Sequence, residues 1–392
     1  MRRRDFLRIG GGLGFGVVLG PSVWDQALAA GTGQPAQGGP GPYGPLQAAD
    51  ANGIMLPQGF QSRIIAISGS QLTGTSYTWH NNPDGGATFE TPDGGWIYVS
   101  NAENDNGQGA GAVRFDSDAN VTDAYQILTG TSFNCAGGAT PWDTWLSCEE
   151  FNLGLVWECD PYGVVGQIAR SALGTFQHEA VVADPILQRL YLTEDQGDGC
   201  FYRFTPDVWG DLSSGLLELA EVDGLGVVSW HEVPNPNPNG GQTPTCYQVP
   251  QATPFNRGEG MVYSKGQIYF ATTGDNTVWQ YDPLTDTICV RYDAAQDPSM
   301  QLTAPDNLAA ASNGVIAAED GGNMELVLLG NNGVASPLLR VTGQDSSEIT
   351  GPAFDPSGWR LYFSSQTGTS GNGITYEVSG PFVQRRSGNG RC

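Results

Sequence analysis

Residues 96–101 read WIYVSN, 144–149 TWLSCE, 189–194 RLYLTE, 267–272 QIYFAT, 314–319 GVIAAE and 360–365 RLYFSS. These are six versions of one short, apolar, strand-like phrase. Counting from Tyr98, Leu146, Tyr191, Tyr269, Ile316 and Tyr362, the steps are 48, 45, 78, 47 and 46 residues. Short strands recurring every 40 to 50 residues or so are the signature of a propeller blade. Each phrase is followed by a second alternating strand: residues 112–116 (AVRFD), 156–161 (VWECDP), 201–206 (FYRFTP), 278–283 (VWQYDP), 325–330 (ELVLLG) and 374–380 (ITYEVSG). Alternation of apolar and polar side chains fits half-buried strands. Several copies run on into an outer strand, such as 124–128, 288–292 and 337–341, but the last does not. Residues 60–67 (FQSRIIAI) form an early strand with no partner nearby, so the economical closure uses it as the outer strand of blade six and removes the open edge. The expected fold is all-β: a six-bladed β-propeller with an N-terminal strand closing the last blade.

Radial repetition brings equivalent positions around one axis. Three residues beyond each reference position stand Asn101, Glu149, Glu194, Thr272, Glu319 and Ser365. A second set opens the shorter strand before each phrase: Cys135, Glu179, Glu259 and Asp306 lie 11, 12, 10 and 10 residues ahead of their reference residues. The first blade offers Asp84-Gly85-Gly86 there, and the last Ser347-Glu348-Ile349-Thr350. Two rings of carboxylates crowded into one funnel repel each other and call for a cation. Arg257, two residues before Glu259, carries the planar fork that phosphate recognition favours, with an ion pair to Glu259 or a neighbouring blade as the alternative. His178, beside Glu179, is read either as a donor that orients a ligand or as a packed residue. Residues 195–199 read as a plain turn. The long third step holds about 30 extra residues, assigned to a Pro/Asn/Gly insertion at 232–251 placed over the funnel.

Composition narrows the field. The chain of 392 residues carries 41 acidic against 17 basic residues, for a net charge of −24, with Lys265 its single lysine and 56 glycines. Such a surface does not attract nucleic acid or anionic membrane. Three histidines, His80, His178 and His231, are too few for a His-rich zinc site, and Ser147, Ser364 and Ser365 lack a nucleophile-elbow context. Residues 1–30, with Arg2-Arg3-Arg4-Asp5-Phe6-Leu7-Arg8 ahead of a glycine-rich apolar run, match a twin-arginine signal. The twin-arginine export machinery is then a partner, and the protein is placed in the periplasm or outside the cell. Residues 31–43 are expected to be a flexible leader, 44–384 the propeller and 385–392 a polar tail; no stable membrane association is expected, and a monomer is. Seven cysteines leave one unpaired. Cys135, on a glycine-flanked bend, is the one singled out to present a thiolate, while Cys148 and Cys159 lie on consecutive strands with their pairing left open.

Residues 134–150 (NCAGGATPWDTWLSCEE) closely resemble the signature of PhoX-type alkaline phosphatases, and residues 176–180 (FQHEA), 191–195 (YLTED) and 257–259 (RGE) also resemble motifs of that family. The similarity is spread over about residues 44–380. The resemblance implies a six-bladed propeller whose funnel holds iron and calcium and hydrolyses phosphate monoesters. It implies Cys135 as an iron-ligating thiolate, Glu179 and Glu259 as carboxylate ligands, and Arg257 as the phosphate clamp. Glu149, Glu194, Asp306 and Glu319 are further candidate ligands. Hard oxygens suit calcium and a thiolate suits a transition metal, so the chemistry of the residues agrees in kind. Two other functions remain open: a calcium-dependent propeller hydrolase or lactonase, which needs the carboxylates but not Cys135, and a non-catalytic calcium-binding propeller.

Overall fold

A computed structural model describes residues 34–382. The twin-arginine segment and the polar tail lie outside the described residues. Six antiparallel sheets, each built outward from a central strand, follow one another along the chain. Blade one is Pro83–Glu90, Trp96–Ala102, Ala110–Phe115 and Val121–Leu128; blade two is Asn134–Ala139, Trp145–Glu149, Val156–Cys159 and Ile168–Ala169. Blade three has five strands, His178–Asp184, Arg189–Glu194, Phe201–Val208, Asp211–Val222 and Val228–Glu232. Blade four is Gly258–Ser264, Gln267–Thr272, Thr277–Asp282 and Thr287–Asp293, and blade five Pro305–Ala311, Gly314–Glu319, Glu325–Gly330 and Val334–Val341. Blade six takes Ile349–Phe354, Arg360–Ser365 and Ile374–Ser379 from the end of the chain and Gln61–Ile67 from its beginning. The closure read from the sequence is the one the chain adopts. No helix among the described residues is long and apolar enough to cross a membrane.

The recurring phrase is apolar on successive residues because its strand is buried on both faces. In blade three Leu190 and Leu192 pack into a cluster shared with blade two, and Tyr191 into one shared with blade four. In blade five Val315 and Ala317 face blade four while Ile316 and Ala318 face blade six. Six such clusters result, one at each blade-to-blade seam. Aromatic pairs fill them, among them Phe201 and Phe270 with centroids 4.7 Å apart and Tyr98 and Tyr362 at 5.1 Å. Each buried aromatic or branched side chain stabilises by roughly 1.5–3 kcal/mol, so the core is distributed around the ring.

Two segments differ from expectation. Residues 34–43, read as a loose leader, are seated on blade five: Gln37–Gly38 runs parallel to Val334 and Ala335, Ala36 is fully buried, and Tyr43 packs edge-on against Phe60 and Phe382. The added strand satisfies backbone groups that an exposed sheet edge leaves unpaired. The excess in the third step is partly the fifth strand of blade three. The remaining loop, 233–251, is tied by a disulfide between Cys246 and Cys200. Cys148 and Cys159 are not partners: Cys148 stands opposite Val156 and Cys159 opposite Trp145, and both are free thiols.

The seam that closes the ring is also bolted electrostatically. The buried Glu377 carboxylate accepts hydrogen bonds from Arg63 of the early strand at 2.6 Å, Arg360 at 2.6 Å and Tyr362 at 2.7 Å. Arg63 and Arg360 are 42% and 30% exposed and can rehydrate, so losing the carboxylate costs less than breaking a fully buried pair. Glu377→Ala is therefore expected to lower unfolding free energy by about 1–2 kcal/mol in guanidinium titrations; a midpoint equal to the wild type contradicts this role.

Candidate metal centre

All six innermost strands carry a register shift at the same end. It falls between Pro83 and Gly86, Asn134 and Gly137, His178 and Val181, Gly258 and Met261, Pro305 and Leu308, and Thr350 and Ala353. A β-bulge releases residues from the ladder and re-aims their side chains. In blades one to five the first released residue is Asp84, Cys135, Glu179, Glu259 and Asp306 in turn. The structure therefore brings together Cys135, Glu179, Glu259 and Asp306, and adds Asp84. In blade six the bulge starts later, Thr350 donates to the Pro83 carbonyl at 2.6 Å, and Glu348 supplies the carboxylate near Asp306 and Asp84 instead.

Glu149, Glu194 and Glu319 are turned away from this ring. Each accepts the amide six residues ahead, that of Leu155 at 3.2 Å, Cys200 at 3.1 Å and Glu325 at 2.9 Å, and so braces the connection into the third strand of its own blade. Because side chains on a strand alternate, the residue facing the axis is the next one. Glu150, Asp195, Thr273, Asp320 and Gln366 occupy that position. In blade one Val99 shares the seam with blade two and Ala102 pairs with Pro83, so the equivalent residue there is Glu103 rather than a neighbour of Asn101. Apart from the buried Gln366, this layer is half-buried, outside the buried inner ring, and marks the mouth.

Potential ligand atoms of Asp84, Glu103 and Cys135 lie within 4.8 Å of one another, as do those of Cys135, Glu150 and Glu179, and those of Glu179, Glu259 and Asp306. Shared members make these one continuous arc. Glu194 also lies near Cys200 and Cys246, but those sulfurs are joined to each other. Both carboxylate oxygens of Glu179 are buried without a hydrogen-bond partner. A lone buried carboxylate is strongly unfavourable when ionised unless it is paired or coordinates a metal. Burial, then the negative charges of Glu150, Glu259, Asp306 and Asp84, push its pKa well up. The same causes hold the Cys135 thiol well above its ordinary range, push Glu150 up to about 8 and Asp306 up to about 7. A bound multivalent cation would oppose these shifts, but a raised carboxyl alone does not mark the site, since burial lifts Glu194 and Glu319 to about 7 as well; the fit to metal lies in the clustering of donors around the unpartnered Glu179.

Neighbouring polar groups fix the ring. Asn101 uses its whole amide: its nitrogen donates to the Cys135 and Ala136 carbonyls at 2.8 and 2.5 Å, and its oxygen accepts Trp145 Nε1 and Ser147 Oγ at 2.9 and 2.8 Å. Thr193 Oγ1 accepts the Ala180 amide and donates to the Glu259 carbonyl, linking blades three and four. Gln366 donates to both Asp84 and Glu103, at 2.8 and 2.6 Å, separating two acids. Arg257, with φ +59°, forks onto Asp195 at 2.9 and 3.0 Å and reaches Glu259 at 3.1 Å while its side chain stays 42% exposed. His178 points elsewhere: it stacks on Phe176 at 3.6 Å and its Nε2 lies 3.1 Å from the Gly174 carbonyl.

The sequence model of the family described as alkaline phosphatase PhoX matches residues 102–154 and 151–287. Among solved structures, PhoX from Pseudomonas fluorescens in complex with vanadate, a transition state analogue, superposes with a TM-score of 0.68 at 15% identity, covering 88% of this chain and 98% of that one. A gluconolactonase from Xanthomonas campestris gives a TM-score of 0.51 at 11% identity over 87% of this chain and 99% of its own. Both share the propeller fold. No curated protein matches the chain.

The raised carboxyl pKa values set a direction for stability without metal. A group whose folded pKa lies above its unfolded value stabilises below the unfolded pKa, and that contribution is lost as pH rises through the folded one. For Asp306 and Glu150 the window runs from the ordinary carboxylate range, about 4, up to about 7 and about 8. Chelator-treated protein is expected to melt at a lower temperature at pH 8 than at pH 5, with calcium restoring the loss; equal melting temperatures, or no response to calcium, contradict the assignment.

Proposed function

We infer that this chain, a member of the PhoX alkaline phosphatase family, hydrolyses phosphate monoesters at the ring of buried carboxylates around Cys135, with calcium and iron as its metals. One observation supports this most: Glu179 has two unpartnered buried oxygens between a thiol on one side and Glu259 and Asp306 on the other. Cys135 is the residue suited to hold iron, and Asp84, Glu103, Glu150, Glu179, Glu259, Asp306 and Glu348 offer the hard oxygens calcium prefers. When bound, such cations neutralise charge on phosphoryl oxygens and activate or orient the attacking oxygen.

The residues of the chain itself contribute position and charge. Arg257 is the cation at the mouth, and Asp195 holds its fork before substrate arrives, so little side-chain entropy remains to be lost on binding. The half-exposed guanidinium presents its remaining N–H groups to an incoming phosphate. The ring residues are buried, and electrostatic interactions there are stronger than in solvent. A lactonase needs the carboxylates alone and leaves Cys135 without a task. On the sequence signal at residues 1–30, the setting is the periplasm or the extracellular space.

Purified protein is expected to contain calcium and iron and to release phosphate from p-nitrophenyl phosphate at alkaline pH. Cys135→Ser is expected to lose iron, and Arg257→Ala to lower kcat/KM by about a hundredfold. Protein free of both metals and inactive under every metal supplement would falsify the proposal.

A further inference from the structure

In every blade the residue at the mouth, from Glu103 in blade one to Gln366 in blade six, donates its amide to the carbonyl just ahead of the inner strand, at 2.8 to 3.3 Å. Those carbonyls belong to Asn82, Phe133, Gln177, Arg257, Ala304 and Glu348. The shared bond makes these six equivalent positions on the rim. Phe133 therefore holds in blade two the place that Arg257, the proposed phosphate clamp, holds in blade four. The match extends further. Phe133 and Arg257 have φ +48° and +59°, and each donates its own amide to the residue after the preceding blade's mouth acid, Asn104 at 2.8 Å and Gln196 at 2.8 Å.

Side chains at this position reach back to the mouth acid of the preceding blade. Gln177 Nε2 donates to Glu150 at 2.8 Å, and Arg257 forks onto Asp195. The equivalent direction from Phe133 is toward Glu103, an acid of the arc. A phenyl ring makes no such bond, and Phe133 is 39% exposed, so the core does not require it. Nor does the turn. Ala304 and Asn82 adopt the same conformation at φ +43° and +49°, which shows that the backbone here takes small or polar residues. A bulky residue in the left-handed region is strained, and strain of this kind collects at ligand sites. What an exposed ring in a rim of acids offers is a flat contact for an apolar or aromatic group.

Resting on the phosphatase reading, we propose that Phe133 is the leaving-group contact: with the phosphate on Arg257, the ester's organic part lies toward blade two against the phenyl ring, making monoesters of aromatic alcohols the preferred class. The test compares kcat/KM for benzyl phosphate and ethyl phosphate, whose alcohols differ by the aromatic ring. It uses the metal-replete wild type, Phe133→Ala, Phe133→Asn and Phe133→Tyr. The ratio of benzyl to ethyl ester is expected to fall about tenfold in Phe133→Ala and Phe133→Asn and to survive in Phe133→Tyr. A merely structural role lowers both esters alike, so an unchanged ratio in the first two variants overturns the contact. Release of phosphate from neither ester contradicts the phosphatase reading instead, and calorimetry with phosphonates then decides the contact by itself. The wild type is expected to bind benzylphosphonate about tenfold tighter than ethylphosphonate, a preference that Phe133→Ala loses; equal affinities in the wild type overturn it.

Discussion

Everything in this protein turns on like charges held together where water cannot screen them. Asp84, Glu179, Glu259 and Asp306 are buried with Cys135 among them, and Glu179 meets no donor among the described residues. Such an arrangement is unfavourable by several kcal/mol per charge unless protons or cations neutralise it. The fold can hold it because the cost is borne by six apolar seams distributed around the wheel, and because the ring is closed by a strand from the other end of the chain. The bulge that aims a donor inward recurs in blades one to five, so one backbone device, used five times, builds the inner ring.

The remaining buried acids show the opposite solution. Glu149, Glu194 and Glu319 are buried too, yet each is satisfied by backbone amides of its own blade, and Glu377 by two arginines and a tyrosine. Burial of a carboxylate is thus not what distinguishes the centre. What sets the centre apart is the clustering of like charges, within which Glu179 meets no donor among the described residues while Asp84, Glu259 and Asp306 each meet at least one. Among the described residues the cation paired with the arc is Arg257, and its fork is divided between Asp195 and Glu259.

The wheel was legible in the sequence because six apolar phrases at near-constant spacing leave few other architectures, and the early strand at 60–67 had no other place to pair. The inner ring was legible for the same reason: Cys135, Glu179, Glu259 and Asp306 sit at nearly equal distances from their phrases. The outer ring was misread by one residue. A repeat fixes which residues are equivalent but not which face of a strand they occupy, and a shift of one exchanges Glu149 for Glu150 and Glu194 for Asp195. Blade one added a second slip, since Tyr98 aligns by type with Tyr191 and Tyr362 while Val99 is the residue in the equivalent seam. The shared amide six residues ahead was the missed clue, because it ties those glutamates to their own blade. The link between Cys200 and Cys246 was out of reach, since it depends on how the loop folds back over blade three.

A crystal structure of protein grown with iron and calcium, with anomalous data collected at energies that separate the two, tests the centre most directly. The account predicts anomalous peaks along the arc, one within bonding distance of Cys135 Sγ, with others among Glu179, Glu259 and Asp306. An arc containing only water, with the carboxyls protonated and hydrogen-bonded in pairs, contradicts it.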